Sequence, residues 1–291
     1  MVRFRDKVNP KMPKEIGFMR EAGLVVAKIH QALREAAKPG MATGELDQVC
    51  RDVIKAEGAK SNFLNYHGFP ATVCISVNDE IVHGIPGSRK LEAGDLVKFD
   101  CGAYVNRENK QWHGDAAFSM IIGGEEAGSQ TARELNEVTQ TALYEVIREL
   151  AKGAQTLNAV GDTVEMVVAE RAIDYGWEAG IVEEYVGHGI GNAMHEAPDV
   201  YNYSVRGKLM KLRPGQVFAI EPMLTAGDPD NSTDDDGWTV RTKDGSLACQ
   251  WEHTVAIMPG GVWVLTALDG GAEILAPAGL KPVTLPGVVT D

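Results

Sequence analysis

Four carboxylates stand in stretches that otherwise read as core strands. Asp100 closes Leu96-Val97-Lys98-Phe99, and Asp115 ends His113-Gly114-Asp115. Glu221 ends Val217-Phe218-Ala219-Ile220, and Glu252 sits in Gln250-Trp251-Glu252-His253-Thr254. An ionised carboxylate in such a setting is costly unless it is paired or bound to a cation. For a single acid, a salt bridge to Arg or Lys is the ordinary solution. Four acids with few basic residues nearby in sequence favour metal instead. Strand parity sharpens the reading. Glu252 shares its face with Thr254 and Ala256, while Val255 and Ile257 point away; Glu221 shares its face with Val217 and Ala219. The bulky faces can lie under helices, leaving the acids pointing into a cavity. By the same parity His253 faces away from Glu252 and reads as structural.

The order of elements repeats along the chain. Pro13 opens a helix to about Ala37, apolar at Ile16, Met19, Gly23, Val26, Ile29 and Leu33 and stopped by Pro39-Gly40. His30 on this helix has a surface or packing role. Thr43 is the expected N-cap of a second helix through Leu46, Val49, Val53 and Ile54, ending at Gly58. Strand-like segments follow at 71–77, 96–100 and 117–122, and the Gly-rich stretch 123–128 is the midpoint. A helix marked by Leu135, Val138, Ala142, Val146 and Leu150 then ends at Lys152-Gly153, and another marked by Val164, Val168 and Ala172 ends at Gly176. The first half reaches His83-Gly84-Ile85-Pro86 where the second reaches His188-Gly189-Ile190-Gly191. These units predict a pseudo-twofold α/β sandwich, with halves at about 13–124 and 129–266 of a single catalytic domain, 13–266. Residues 1–12, with Arg3, Arg5, Lys7 and Lys11 against Asp6, form a mobile N-terminal arm; residues 267–291, rich in Gly, Ala and Pro, form a C-terminal tail. Transient ribosome contact through the arm is a hypothesis that unchanged ribosome association after deletion of residues 2–10 would refute.

The segment from Val182 to Val200 holds His188 and His195, seven residues apart. A helix would stack them on one face, but the glycines at 187, 189 and 191 make a helix unfavourable. A strand entering a tight turn displays both imidazoles near one spot, and glycine allows close backbone approach to a metal or substrate. Neither histidine lies in an HExxH helix, and Asn192 stands where GxGxxG needs its third glycine, so no Rossmann site is present. The four carboxylates carry four negative charges and two divalent cations four positive. Oxygen-rich ligation with one imidazole suits Mn, Fe or Co, with Zn also compatible. Such a pair lowers the pKa of a bridging water and makes a nucleophile for acyl-bond hydrolysis.

Composition removes other classes. The net charge of −13 argues against specific nucleic acid as the main ligand. No run of about 18 apolar residues exists to span a membrane, and Met1 to Glu15 lacks the apolar core of a signal peptide. Cys50, Cys74, Cys101 and Cys249 show no CxxC spacing and read as free thiols in a reducing cytoplasm. The acidic segment Asp228 to Asp236 places Thr233 and Thr239 where a calcium loop needs Gly and Glu, so it reads as a solvated loop.

The ordered series Cys74-Ile-Ser-Val-Asn78, His83-Gly-Ile-Pro86, Asp100, His113-Gly-Asp115, Gly187-His-Gly-Ile-Gly191, His195-Glu-Ala-Pro198, Ile220-Glu-Pro-Met223 and Glu252-His-Thr254 resembles type I methionine aminopeptidase, from about Lys14 to Thr266. The resemblance implies the pita-bread (creatinase/aminopeptidase) fold, a pseudo-twofold antiparallel sheet with helices outside and two divalent metal ions in its cavity. It implies Asp100, Asp115, His188, Glu221 and Glu252 as ligands, with Asp115 and Glu252 bridging, Asp100 on one ion, and His188 and Glu221 on the other. A hydroxide held between the ions would attack the first carbonyl. His195 would steady that carbonyl and its oxyanion, His83 would meet the scissile amide nitrogen, and Glu221 would shuttle a proton. Phe63, Tyr66, Phe69, Cys74, Met194 and Trp238 would form the methionine pocket. The expected substrate is the N-terminus of nascent polypeptides, handled by a cytoplasmic monomer.

Three departures accompany the resemblance. The Asp100–Asp115 connection is a few residues longer than the family's, with a polar tip at Arg107 to Gln111. Met194 stands where an aromatic is common, and the tail extends past the core. The same fold carries Xaa-Pro peptidases, which bear a substantial N-terminal domain, whereas here about a dozen residues precede the first helix; Asp100-Cys-Gly102 keeps that alternative open. A type II enzyme would need a helical insert between Glu221 and Glu252. A non-catalytic binding protein of this fold would have lost ligands, and none is missing here.

Overall fold

The computed structural model describes Val8 and residues 10–285. In the first half, α1 (Pro13–Ala36) and α2 (Thr43–Ala56) precede β1 (Lys60–Ser61), β2 (Val73–Val77), β3 (Glu80–Val82), β4 (Leu96–Arg107) and β5 (Lys110–Ile121). In the second, α3 (Gln130–Ala151) and α4 (Asn158–Tyr175) precede β6 (Gly180–Ile181), β7 (Gly187–Gly189), β8 (Glu196–Val200), β9 (Val217–Ile220), β10 (Met223–Thr225), β11 (Asn231–Thr233), β12 (Val240–Thr242), β13 (Ala248–Gln250), β14 (His253–Met258) and β15 (Gly261–Val264). A short α5 (Ala272–Leu275) follows. Every ladder between these strands is antiparallel. The architecture is thus mixed α/β, two helices then antiparallel strands, given twice.

Helix α1 buries Ile16, Met19, Val26, Ile29 and Leu33 along the expected stripe, and each such side chain stabilises the fold by roughly 1.5–3 kcal/mol. The helix lies so close to the strands that a Cβ at Gly23 would sit 2.1 Å from the Leu265 carbonyl oxygen. Only glycine permits that approach. Helix α3 packs on α4 and on β10, β13, β14 and β15, covering the second half as α1 covers β4 and β5.

The two halves are stitched along β5. Ser119 Oγ donates to the Gln250 carbonyl at 2.7 Å, and Glu252 N–H donates to the Ala117 carbonyl at 2.8 Å. Thr254 Oγ1 both donates to the Asp115 carbonyl at 2.7 Å and accepts from Asp115 N–H at 3.0 Å. Lys98 makes a separate brace: fully buried, its ammonium donates to the carbonyls of Asn78 at 2.8 Å and Ala248 at 2.9 Å. Burial pulls its pKa down to about 8. The seam therefore holds Asp115 and Glu252 in fixed relation.

Several expectations are corrected. Thr43 is the first helical residue rather than the cap; its hydroxyl accepts from Gly87 N–H, while Glu45 accepts from Ala42 N–H. The long Asp100–Asp115 connection is, as its polar tip implied, a hairpin, with Arg107 paired to Lys110 across a two-residue turn of Glu108 (φ 52°) and Asn109 (φ 59°). Glu221 and Glu252 fall just outside regular strands, after β9 and before β14. The acidic segment is the hairpin β11–β12, in which Asp236 accepts from Trp238 N–H and Arg241 pairs with Asp234, Asp79 and Glu80.

The terminal segments also differ from a free arm and tail where they are described. Lys11 donates to Glu196 at 2.6 Å, and its N–H reaches the Gly215 carbonyl. Leu275 is fully buried, while Val283 and Leu285 pack on the core beside Trp263, because the tail carries apolar side chains at those positions. The remaining residues assigned to the arm, 1–7 and 9, and residues 286–291 of the tail lie outside the described residues. Among the described residues no helix is long and apolar enough to cross a membrane, and all four cysteines are free and buried.

Candidate active site

One cavity of about 140 Å³ is closed at its floor by Asp100, Asp115, His188, Glu221 and Glu252, with His83 and His195 beside them. The same cavity is walled by Phe63, Tyr66, Phe69, Cys74, Met194 and Trp238. All thirteen residues singled out in the sequence are thus brought together. The volume is well below the roughly 300 Å³ of common small-molecule pockets, which fits one side chain rather than an extended ligand.

The floor is built from both halves. In the β4–β5 hairpin Asp100 pairs with Ala117 and Asp115 with Gly102, two registers along. From the other half, His188 lies on β7, paired to Ala219 of β9, and Glu221 follows β9 directly. Glu252 arrives through its backbone pairing to Ala117. Asp115, His188 and Glu252 each offer one ligand atom within 4.8 Å of the others. Glu221 Oε1 lies 3.6 Å from His188 Nε2.

The electrostatics of this floor suit a cation. Asp115 Oδ1, Glu252 Oε1 and Asp100 Oδ1 are buried with no hydrogen-bond partner. Burial, then the neighbouring carboxylates, pushes Asp115, Glu221 and Glu252 well above the ordinary carboxylate range. Burial carries Asp100 up to about 7. His188 Nδ1 donates to the Gly189 carbonyl at 2.9 Å, since a carbonyl can only accept. The Nε2 lone pair is therefore the one turned toward Glu221. Burial lowers the His188 pKa to about 3, so the ring stays neutral. A lone pair facing a carboxylate oxygen, beside orphaned carboxylate oxygens, is a donor set without a donor, and divalent metal fits it.

Above the floor, the rings of His188 and His195 meet edge to face with centroids 4.3 Å apart. His195 Nδ1 lies 2.8 Å from the Tyr66 hydroxyl. His83 adopts a left-handed backbone (φ 62°), and its ring stands 6.3 Å from that of Trp238. Trp238 in turn meets Phe69 at 5.1 Å, and Phe69 meets Phe63 at 6.5 Å. Cys74 and Met194 are buried in the same apolar cluster.

Some contributors were not picked out from sequence. Gln250 Nε2 donates to Glu221 Oε2 at 3.4 Å, and Asn202 donates to the Glu221 carbonyl at 3.0 Å. Gln250 stands two residues before Glu252, so strand parity was the signal that could have found it. Nothing in the sequence marks Asn202. His253 pairs with Thr266 Oγ1, 2.8 Å away, and does not line the cavity, in keeping with the structural role that parity implied.

Comparison with known proteins agrees with this geometry. Residues 17–259 match the model of metallopeptidase family M24. The chain is 41% identical over 256 residues to methionine aminopeptidase 1 of Bacillus subtilis, covering 88% of this chain and 98% of that one. It is 42% identical over 266 residues to methionine aminopeptidase 1 of Mycobacterium tuberculosis, covering 91% and 97%. The crystal structure of methionine aminopeptidase from Rickettsia prowazekii superposes with a TM-score of 0.81 at 31% identity, covering 89% of this chain and 100% of that chain. The prolidase of Pyrococcus furiosus shares the fold alone, at TM-score 0.66 and 22% identity, and this chain covers 65% of it. Two helices and antiparallel strands given twice around a carboxylate-lined cavity are thus the pita-bread arrangement, and the chain belongs to metallopeptidase family M24, among its type I methionine aminopeptidases.

Proposed function

We propose that this chain is a methionyl aminopeptidase that releases the N-terminal methionine of nascent proteins and peptides. One observation carries the reading: the His188 Nε2 lone pair converges with Asp115 and Glu252, and Asp100 lines the same cavity, whose other walls are aromatic and apolar. Asp100, Asp115, His188, Glu221 and Glu252 would hold the divalent ions. The oxygen-rich set favours Mn, Fe or Co, with Zn also compatible. Ions bound there would lower the pKa of water and polarise a carbonyl.

The chain's own residues supply the remainder. Phe63, Phe69, Cys74, Met194 and Trp238 take up an unbranched apolar side chain and exclude water around it. The substrate amine meets the carboxylate end, and an internal peptide has no place there, which makes the activity an exopeptidase. His195 steadies the carbonyl oxygen as charge develops on it, and His83 holds the scissile amide nitrogen. Glu221 carries the proton to the leaving amine. The enzyme works as a cytoplasmic monomer with transient ribosome contact; the Xaa-Pro alternative is disfavoured by the 22% identity to prolidase, against 41% and 42% to methionine aminopeptidases.

The test is release of the first residue from Met-Ala-Ser and from Ala-Pro peptides by metal-loaded protein, with His188→Ala as control. Release of Met by wild type alone supports the proposal. Cleavage confined to the proline peptide would transfer the assignment to an Xaa-Pro peptidase. Cleavage of neither would leave a binding protein.

A further inference from the structure

Tyr66 was read from the sequence as one more wall of the methionine pocket. Its ring serves that purpose, but its hydroxyl does something a wall does not need. The oxygen lies 2.8 Å from His195 Nδ1, and the two rings meet at 5.5 Å. We infer that Tyr66 is a positioning residue for His195: its phenol donates to Nδ1, fixes the imidazole in the Nε2–H tautomer and holds the ring where Nε2–H can reach the substrate carbonyl. The inference rests on the role given to His195 above.

The direction of the hydrogen bond follows from the chemistry of the partners. A neutral imidazole has one donor and one acceptor nitrogen, and a bond at one nitrogen decides what the other carries. A phenol is a good donor and a poor acceptor, whereas an imidazole lone pair is a strong acceptor. The favourable pairing is therefore phenol O–H to Nδ1. The reverse pairing would leave a bare lone pair on Nε2, which cannot steady a developing oxyanion. The edge-on His188 ring at 4.3 Å limits the other direction in which His195 could swing.

The backbone around Tyr66 is shaped for aim. Its neighbours Asn65 (φ 67°) and His67 (φ 47°) both occupy the left-handed region although neither is glycine. Non-glycine residues persist there only where the surroundings fix them, and such sites cluster at functional positions. Here the surroundings are explicit. Ser61 Oγ accepts from the N–H groups of Phe63 at 3.0 Å and Leu64 at 3.2 Å. Asn65 N–H donates to the Phe69 carbonyl at 2.8 Å, and Tyr66 N–H to the Phe63 carbonyl at 2.9 Å. A half-exposed tyrosine placed only to pack would require neither the two left-handed residues nor the bracing serine.

The test is Tyr66→Phe, which keeps the ring and removes the oxygen. Protein labelled with 15N-histidine and loaded with diamagnetic Zn²⁺ is compared with the variant by NMR, with His195→Ala identifying the His195 signals. Peptide release from Met-Ala-Ser is measured on the same proteins. The inference predicts that wild-type His195 carries its proton on Nε2. In Tyr66→Phe the Nδ1 signal loses its hydrogen-bond shift, and kcat falls about tenfold with KM within about twofold. A wild-type proton on Nδ1 overturns it. So does a Tyr66→Phe variant whose kcat or His195 spectrum matches wild type. If His195→Ala itself keeps wild-type kcat, the role of His195 fails; if His195→Ala is slow and Tyr66→Phe is fast, only the role of Tyr66 fails.

Discussion

Asp115 and Trp238 face the same cavity from opposite kinds of structure. Asp115 is 3% exposed, sits inside a twelve-residue strand, and is tied through Thr254 to the other half of the molecule. Trp238 is half-buried at the turn of the β11–β12 hairpin, its backbone capped by Asp236 and its hairpin moored through Arg241 to Asp79 and Glu80. Like-charged carboxylates must be held together against repulsion, which takes strands, burial and a seam between two halves. A side-chain pocket must admit and release its guest, which suits loops and a hairpin. The floor should therefore govern turnover and metal, and the rim should govern substrate affinity.

The largest effect belongs to the floor. Glu252→Gln should lower kcat at least about 10³-fold and weaken metal binding at least about tenfold. The same change should stabilise the metal-free protein at pH 7 by about 1–3 kcal/mol, since Gln needs no proton uptake on folding where burial and three neighbouring acids disfavour the carboxylate. Peptide assays and denaturant melts of chelated protein check the two signs together. His195→Ala should cost about 10²–10³ in kcat while metal stoichiometry stays at the wild-type value, separating the floor from the group that meets the substrate.

At the rim, Trp238→Ala should raise KM for Met-Ala-Ser about tenfold with kcat within about threefold. Arg241→Ala should raise KM less, by about threefold, because Asp236 and the strand pairing still shape the hairpin. If either rim change lowered kcat as far as Glu252→Gln does, the division between floor and rim would collapse.

The smallest effect concerns pH in the metal-free protein. Asp100, Asp115, Glu221 and Glu252 all hold their protons more tightly folded than unfolded. Stability they confer when protonated is complete below the ordinary carboxylate pKa, about 4, and is lost as pH rises through their folded values, about 7 for Asp100. Chelated protein should lose about 5 °C or more in Tm from pH 4 to 7 relative to Glu252→Gln, and added Mn²⁺ should flatten the slope. A chelated wild type whose Tm is level across that window would contradict the crowding of charge on the floor.

The floor was largely legible in the sequence because its signal is local. An acid among Leu, Val, Phe and Ile is conspicuous wherever it lies, and His188 is flanked by glycines that exclude a helix. The α1 stripe was legible for the same reason, as period and burial coincide. The seam was not, because the pairing of Glu252 with Ala117 and of Lys98 with the Ala248 carbonyl joins residues far apart in the chain. The rim was legible only through the family resemblance. Left-handed Asn65 and His67 and the Tyr66–His195 contact depend on a loop geometry that no short-range pattern announces. The apolar C-terminal positions that pack down, Leu275, Val283 and Leu285, were hidden by the Gly, Ala and Pro around them.

The most direct test of the floor is anomalous diffraction from crystals of the protein soaked in Co²⁺. The account predicts two peaks in the cavity, both in contact with Asp115 and Glu252, one also with Asp100 and the other with His188 and Glu221. Peaks only outside the cavity, or a cavity left empty at Co²⁺ concentrations that support peptide release, would contradict it.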